Sequence, residues 1–202
     1  MKANLILVRH GQSEWNEQNL FTGTADVGLT RQGRDEAVQA GLILKSIHVH
    51  AAFSSALKRA RETCEIIVQN AGWQGVKVIP ATELNEKSFG ELQGMNKGDA
   101  IAKYGREKVE AWRKSFEQAP PGGDSLKDNL GRIEPYFRAE IAPLLLQGKN
   151  VLIAGHSNSL KAVMMCVEEI SPEEIWKISL DNASPFLFEL NEQLIVIKRG
   201  YL

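Results

Sequence analysis

A chain of 202 residues and 22.4 kDa is long enough for one substantial core and too short for two full-sized domains, so a single catalytic domain over 1–202 is expected. Hydrophobic residues make up 43% and charged residues 24%, the balance of a globular protein rather than a disordered or fibrous one. Lys plus Arg number 24 against 25 Asp plus Glu, so no global positive charge recruits nucleic acid or an anionic membrane, and any anion site has to come from local clustering.

The first element is the run Asn4-Leu5-Ile6-Leu7-Val8, reached almost directly from Met1 and Lys2. No apolar run approaches bilayer length, so neither secretion nor membrane insertion is expected, and the expected location is cytoplasmic. Ala37, Ala40, Gly41 and Leu44, and then Ala60, Thr63, Cys64 and Ile67, repeat at the three-and-four spacing of covering helices. Ala51-Ala52-Phe53-Ser54 and Lys77-Val78-Ile79 fit short strands. From Glu83 to Gly123 the chain is richer in polar residues and glycine and ends in Pro120-Pro121-Gly122-Gly123, a helical and loop-rich excursion expected over one sheet edge. Leu126, Leu130, Ile133, Phe137, Ile141 and Leu144 predict a long helix kinked at Pro135. Asn150-Val151-Leu152-Ile153-Ala154 reads as a second buried strand, and 186–190 with 194–197 as a closing hairpin around Asn191-Glu192-Gln193. Parallel strands need crossover helices on both faces, so this alternation predicts an α/β fold, a three-layer α/β/α sandwich with a mostly parallel central sheet and an antiparallel edge strand. Cys64 and Cys166 lack CxxC spacing and read as core thiols in a reducing compartment.

Two of these strands deliver a histidine at their carboxyl ends, Val8-Arg9-His10-Gly11 and Ala154-Gly155-His156-Ser157. The carboxyl edge of an open α/β sheet is where ligands bind. Either histidine alone could be structural, and their matched placement argues against that. Neutral imidazole attacks phosphorus well when a hydrogen bond on its other nitrogen fixes the tautomer. Arg9 offers a planar fork for two phosphate oxygens, and Gly11 is expected to let the backbone approach the ligand. A transferring phosphoryl group needs further donors, for which Arg59, His156 and Asn16 are candidates. His48 and His50 form a His-x-His pair with no acidic or cysteine partner nearby, so no metal site is expected.

The segment Leu7-Val8-Arg9-His10-Gly11-Gln12-Ser13-Glu14-Trp15-Asn16 resembles the opening motif of the histidine phosphatase superfamily, and of its cofactor-dependent phosphoglycerate mutase branch in particular. Phe21-Thr22-Gly23, Ser55 to Ala60, Leu84-Asn85-Glu86, Gly90 to Lys97 and Gly155 to Leu160 follow in that family's order across nearly the whole chain. The resemblance implies a mutase-like fold and interconversion of 3-phosphoglycerate and 2-phosphoglycerate in glycolysis and gluconeogenesis. It implies 2,3-bisphosphoglycerate as the priming phosphate donor and no metal. It implies that His10 is phosphorylated, that Arg9, Arg59 and His156 bind the phosphoryl group, and that Glu86 moves the hydroxyl proton. Glu86 alone would read as a surface residue in a turn. Lys97, Arg113 and Lys114 resemble positions that hold the carboxylate and second phosphate, although Trp112-Arg113-Lys114 alone reads as a solvated helix face. Thr22, Gly23 and Asn158 resemble the neutral donors of the pocket. The implied partner is a small phosphorylated molecule, with neither nucleic acid nor membrane, and a homodimer is compatible with it.

The chain also departs from the family pattern. Lys87, Ser88 and Phe89 follow Glu86 where arginine, histidine and tyrosine are usual, Lys114 replaces an arginine, and Ser157 replaces a glycine. The lysines keep charge and lose the fork, and Phe89 loses a hydroxyl that would have contacted substrate. The turn through Gly122-Gly123-Asp124 and the stop at Leu202 resemble a short bacterial form, which raises the question of how water is kept from a phosphohistidine. The runner-up is therefore a phosphohistidine-dependent phosphatase of small phosphorylated metabolites. A catalytically silent phosphoprotein-binding module fits less well, because Arg9, His10, Arg59, Glu86 and His156 are all present. A dinucleotide binder lacks both GxGxxG and a P-loop.

Overall fold

The structure is a computed structural model that describes residues 2–202, and Met1 of the expected start lies outside them. Strands β1 (Ala3–Arg9), β2 (Ala51–Ser55), β3 (Val78–Ala81), β4 (Val151–Gly155), β5 (Phe186–Leu190) and β6 (Val196–Tyr201) form one sheet in the order β3-β2-β4-β1-β5-β6. The β3-β2-β4-β1 portion is parallel, with β1 paired to β4 from Leu5↔Val151 to Arg9↔Gly155, while β5 and β6 are antiparallel. The expected antiparallel edge is thus two strands wide.

Side-chain alternation sorts the strands into two cores. Leu5, Leu7, Phe53 and Ile153 point to one face, where they meet Leu126, Ile133, Phe137, Leu160 and Val163. Ile6, Val8, Ala52, Leu152 and Ala154 point to the other, against Ala40, Leu44, Cys64 and Ile67. Helices α2 (Arg31–Ile43) and α3 (Lys58–Asn70) therefore cover one face, and α6 (Leu126–Tyr136), α7 (Ala142–Leu146) and α8 (Ser157–Val167) the other. Short α1 (Glu14–Glu17) follows β1, and α4 (Lys97–Tyr104) and α5 (Arg106–Lys114) lie in the excursion. Each fully buried Leu or Ile of these cores contributes about 1.5–3 kcal/mol, which is why both strand faces read as apolar. Cys64 is buried, and burial pushes its thiol up from its ordinary value; Cys166 is half-buried, and both are free thiols.

Three local expectations are corrected. The helix predicted over 126–144 with a kink at Pro135 is α6, then a π turn over Phe137–Ile141, then α7, with Ala142 N–H donating to Phe137 C=O. Pro135 and Pro143 each lack an N–H, so the ladder between them shifts by one residue instead of breaking at the first proline. The second strand of the hairpin begins at Val196 rather than 194, because Asn191 Oδ1 accepts from Gln193 N–H (3.0 Å) and Ile195 N–H (2.8 Å) and extends the turn. The strand expected from Lys77 starts at Val78 and runs to Ala81, in register with Ala52–Ser55 of β2. The excursion brings Phe89, Lys97, Arg113 and Lys114 to the same cleft as Arg9 and His10 at the carboxyl end of β1. Phe21, Leu92, Ala100 and Val109 form a small core of its own, and Phe21 is tied to it by Phe21 N–H to Met95 C=O (3.0 Å) and Gly94 N–H to Phe21 C=O (2.8 Å). Among the described residues no helix is long and apolar enough to cross a membrane.

Candidate active site

The carboxyl ends of β1 and β4 hold the two histidines side by side, with His10 N–H donating to Gly155 C=O at 3.0 Å and the ring centroids 5.0 Å apart at 62°. His10 Nδ1 lies 2.7 Å from Gly11 C=O. A carbonyl can only accept, so the Nδ1 nitrogen carries the proton and Nε2 keeps its lone pair. This is the tautomer-fixing partner that a nucleophilic imidazole requires. Burial first, and then the charges of Arg59 and Arg9, hold the His10 pKa well below the ordinary imidazole value. The ring is therefore neutral at neutral pH.

Arg59, from the first turn of α3, is 1% exposed. Its Nε faces His10 Nε2 at 3.3 Å, and its two terminal nitrogens donate to Ala25 C=O (2.7 Å) and Gly23 C=O (2.8 Å). Burial brings its pKa down to about 10, against the opposing charges of Glu86 and Asp26. Gly23 can present its carbonyl this way because it sits at φ +53°, and a Cβ there would come within 2.7 Å of Gln93 Oε1. Arg9 anchors one terminal nitrogen on Leu180 C=O (3.0 Å), while its Nε is buried without a protein partner. Thr22 Oγ1 is likewise buried and unpartnered. Orphaned buried donors are rare, and a phosphoryl oxygen would satisfy these two.

His156 precedes α8 and is 1% exposed. Ser55 Oγ, at the end of β2, gives its hydrogen to Asn85 Oδ1 (2.8 Å), so the 2.8 Å contact between His156 Nε2 and that oxygen places a proton on Nε2. His156 Nδ1 then has no protein partner. Burial, followed by the charge of Arg59, holds this imidazole well below its ordinary pKa too. Glu86 is buried rather than a surface turn residue, its two oxygens accepting from Lys87 N–H (2.9 Å) and Asn158 N–H (3.2 Å).

Arg9, His10, Thr22, Arg59 and Glu86 open onto a cleft of about 480 Å³ lined also by Asn16, Gly23, Phe89, Lys97, Arg113, Lys114, Ser157 and Asn158, while His156 packs against His10 and is not part of that lining. Asn16 closes the capping box of α1 by accepting from the N-cap Ser13 N–H (3.2 Å) through Oδ1, which leaves its amide nitrogen for a ligand. Phe89 packs on Phe21 at 5.2 Å between centroids. Arg113 and Lys114 share Glu110 at 2.6 and 2.9 Å, and Lys97 is half-buried with its pKa lowered first by burial and then by Arg113. Lys87 turns away, fully buried, to donate to Trp112 C=O at 2.8 Å. It thereby holds the carbonyl just ahead of Arg113.

Gly11 has a different role from the one expected. A Cβ at Gly11 would meet Gly33 C=O at 2.1 Å, and one at Gly33 would meet Gln12 C=O at 2.1 Å, so the glycine pair lets α2 press its backbone against the loop after His10. The sequence reading also missed Lys161 and the segment 176–180, which complete the cleft wall. A signal existed for Lys161, a lone cation in the apolar helix pattern one turn beyond Ser157 and Asn158. Among the described residues no three His, Cys, Asp or Glu side chains gather as a metal site, and His48 and His50 pack edge-on at 4.7 Å.

Residues 5–201 match the histidine phosphatase superfamily (branch 1). A curated relative from Azorhizobium caulinodans is 46% identical over 201 residues, 98% of each chain, and one from Cytophaga hutchinsonii is 46% identical over 198 residues, 98% of this chain and 92% of its own. Both are named 2,3-bisphosphoglycerate-dependent phosphoglycerate mutase. Among solved structures, a mycobacterial glucosyl-3-phosphoglycerate phosphatase matches with a TM-score of 0.85 at 24% identity, over 98% of this chain and 96% of that one, a likeness of fold.

Proposed function

The chain belongs to branch 1 of the histidine phosphatase superfamily, and on that footing we propose that it interconverts 3-phosphoglycerate and 2-phosphoglycerate through a phosphohistidine on His10. The observation that carries this reading is the His10 ring itself, with Nδ1 tied to Gly11 C=O and Nε2 bearing a lone pair beside the Arg59 guanidinium. The residues present fit a bisphosphorylated ligand: Arg9 Nε and Thr22 Oγ1 lack partners, and Lys97, Arg113 and Lys114 supply cations for a second anionic group. When bound, 2,3-bisphosphoglycerate supplies the priming phosphoryl group.

His10 Nε2 forms its bond to phosphorus as the bond to the ester oxygen breaks and Glu86 gives that oxygen a proton, while Arg9 and Arg59 hold the negative charge spread over the equatorial oxygens. The incoming anion raises the pKa of His156 and gives a protonated Nδ1 an acceptor, making His156 a further donor. In the return step the free hydroxyl of the monophosphate attacks phosphorus, the bond to Nε2 breaks, and Glu86 takes the hydroxyl proton. Lys97, Arg113 and Lys114 hold the carboxylate and far phosphate, with Asn16, Gly23, Phe89, Ser157 and Asn158 completing the walls. The cleft volume leaves room for the bisphosphorylated product to turn, after which His10 accepts the other phosphoryl group and Glu86 returns the proton. Residues 1–202 act as one catalytic domain in the cytoplasm, with no metal in the reaction.

The test is an assay with 3-phosphoglycerate in excess EDTA, with and without trace 2,3-bisphosphoglycerate. 2-Phosphoglycerate is read in a second stage by enolase supplied with its own Mg²⁺, and free phosphate is followed in parallel. Activity that survives EDTA, rises with the bisphosphate and vanishes in His10→Ala is the expected result. Phosphate release without 2-phosphoglycerate overturns the mutase reading in favour of a phosphatase.

A further inference from the structure

Lys161 sits one turn into α8, on the face that also presents Ser157 and Asn158 to the cleft, and it is only 6% exposed. A lysine so buried needs partners, and it has two carbonyls, Ile175 at 3.0 Å and Ile178 at 2.7 Å. Both belong to the segment 175–180, whose Ile175 and Leu180 are buried in the core and whose intervening residues form a wall of the cleft. The same ammonium lies 4.9 Å from the centre of the Trp176 ring. Trp176 Nε1 is buried with no hydrogen-bond partner, so no hydrogen bond from the indole itself fixes that ring. Its placement rests on packing and on Lys161. Arg9 holds the far end of the segment through Leu180 C=O, so one cation grips each end of this wall.

We propose that Lys161 is a positioning residue for substrate binding, clamping the 175–180 segment as the wall beside Arg9 and adding its own positive charge to the field that holds the anionic substrate. This rests on the phosphoglycerate reading for its substrate. The segment owes its conformation to the clamp because the ammonium satisfies carbonyls at both ends of the short 3₁₀ turn Ile175–Lys177, which has no side-chain cap. The charged groups that face Lys161 are Arg9 from β1, Glu86 from the excursion and Lys114 from α5, with Lys177 on the wall itself. Burial, and then Arg9, bring the Lys161 pKa down to about 8, with Glu86 opposing and Lys114 adding to the fall. Below that pH the group is charged and both carbonyl bonds are charge-assisted. Above it the amine keeps two weaker donors and the field loses a unit charge. Substrate affinity should therefore fall as pH rises through about 8.

The experiment compares wild type, Lys161→Met and Lys161→Arg from pH 7 to pH 9.5. Steady-state kinetics with 3-phosphoglycerate are paired with hydrogen exchange of the 175–180 amides at pH 7. In Lys161→Met, KM rises roughly tenfold at pH 7 with kcat within about threefold, and the wall amides exchange faster. In Lys161→Arg, KM stays near the wild-type value at pH 7, and the wild-type rise in KM above pH 8 is flattened, because guanidinium keeps its charge. A wild-type KM and unchanged exchange in Lys161→Met overturn the proposal, as does an alkaline rise in KM identical in wild type and Lys161→Arg. If Lys161→Met fails to fold, the comparison of wild type with Lys161→Arg decides alone. No turnover by wild type would sink the phosphoglycerate reading instead, and the amide exchange would still test the clamp.

Discussion

Replacing Arg59 by methionine removes three interactions at once: the 3.3 Å contact to His10 Nε2 and the bonds to Ala25 C=O and Gly23 C=O at 2.7 and 2.8 Å. Hydrogen bonds from a charged donor contribute about 1.5–3 kcal/mol each, and the two carbonyls would be left without that donor. Part of this is offset, because burying the guanidinium is itself unfavourable, as its fall to about 10 records. A net destabilisation of about 2–3 kcal/mol follows, which a domain with about 5–15 kcal/mol of stability survives. Catalysis suffers more, since loss of one preorganised donor to the developing charge costs about 10²–10³ in kcat. A second signature separates this from general damage. Arg59 is the first of the charges that lower the His10 pKa, so the acid limb of kcat should move up toward neutrality in Arg59→Met. Stopped-flow phosphorylation of the enzyme by 2,3-bisphosphoglycerate across pH 5–8, together with urea denaturation, reads all three quantities. A kcat within about threefold of wild type, with an unmoved acid limb, would refute the placement of Arg59 at the reacting phosphorus.

Gly33→Ala drives a methyl to 2.1 Å from the Gln12 carbonyl, so we expect about 1–3 kcal/mol of destabilisation and a fall in kcat from displacement of the loop after His10. An unchanged urea midpoint would show that α2 is not pressed against that loop. His10 and His156 both have folded pKa values below the unfolded value of about 6.5, so the unfolded chain takes up protons that the native one refuses. Stability is thus complete above about pH 6.5 and is lost as pH falls below it, by up to about 1.4 kcal/mol per pH unit for each histidine. Equal urea midpoints at pH 7.5 and pH 5.5 would contradict that burial. Phe89→Tyr restores a hydroxyl to the cleft wall and should lower KM for phosphoglycerate by roughly two- to tenfold with little change in kcat. A raised KM would mean that the packing of Phe89 on Phe21 leaves no room for the added oxygen.

The strands carrying His10 and His156 were legible because parallel strands covered on both faces must be apolar throughout, and β4 is buried at all five positions. The motif residues stood out because each carries a functional group that the proposed phosphoryl transfer would use. Contacts that depend on backbone approaching backbone were not. Gly11 invites a ligand-side reading in sequence, and its actual neighbour, Gly33, lies on a helix whose docking no local pattern specifies. The π turn escaped for a similar reason: two prolines announce a break, and only the register between them decides whether the helix stops or shifts. Lys161 was passed over because a single lysine in an apolar helix usually snorkels to solvent, whereas here the carbonyls it needs come from a segment further along the chain.

The position of β1 at the middle of the sheet also dictates when the site comes into being. It is made first, yet its two neighbours are β4, beginning at Val151, and β5, beginning at Phe186. During synthesis the segment bearing His10 therefore waits through most of the chain for any sheet partner, and closing such long loops is slow compared with forming local helices. The Gly155 carbonyl that accepts the His10 backbone N–H is supplied only once β4 has been made, so the His10 loop gains its full set of partners late. A nascent or truncated chain ending before residue 151 carries the His10 segment without the β4 strand that seats it.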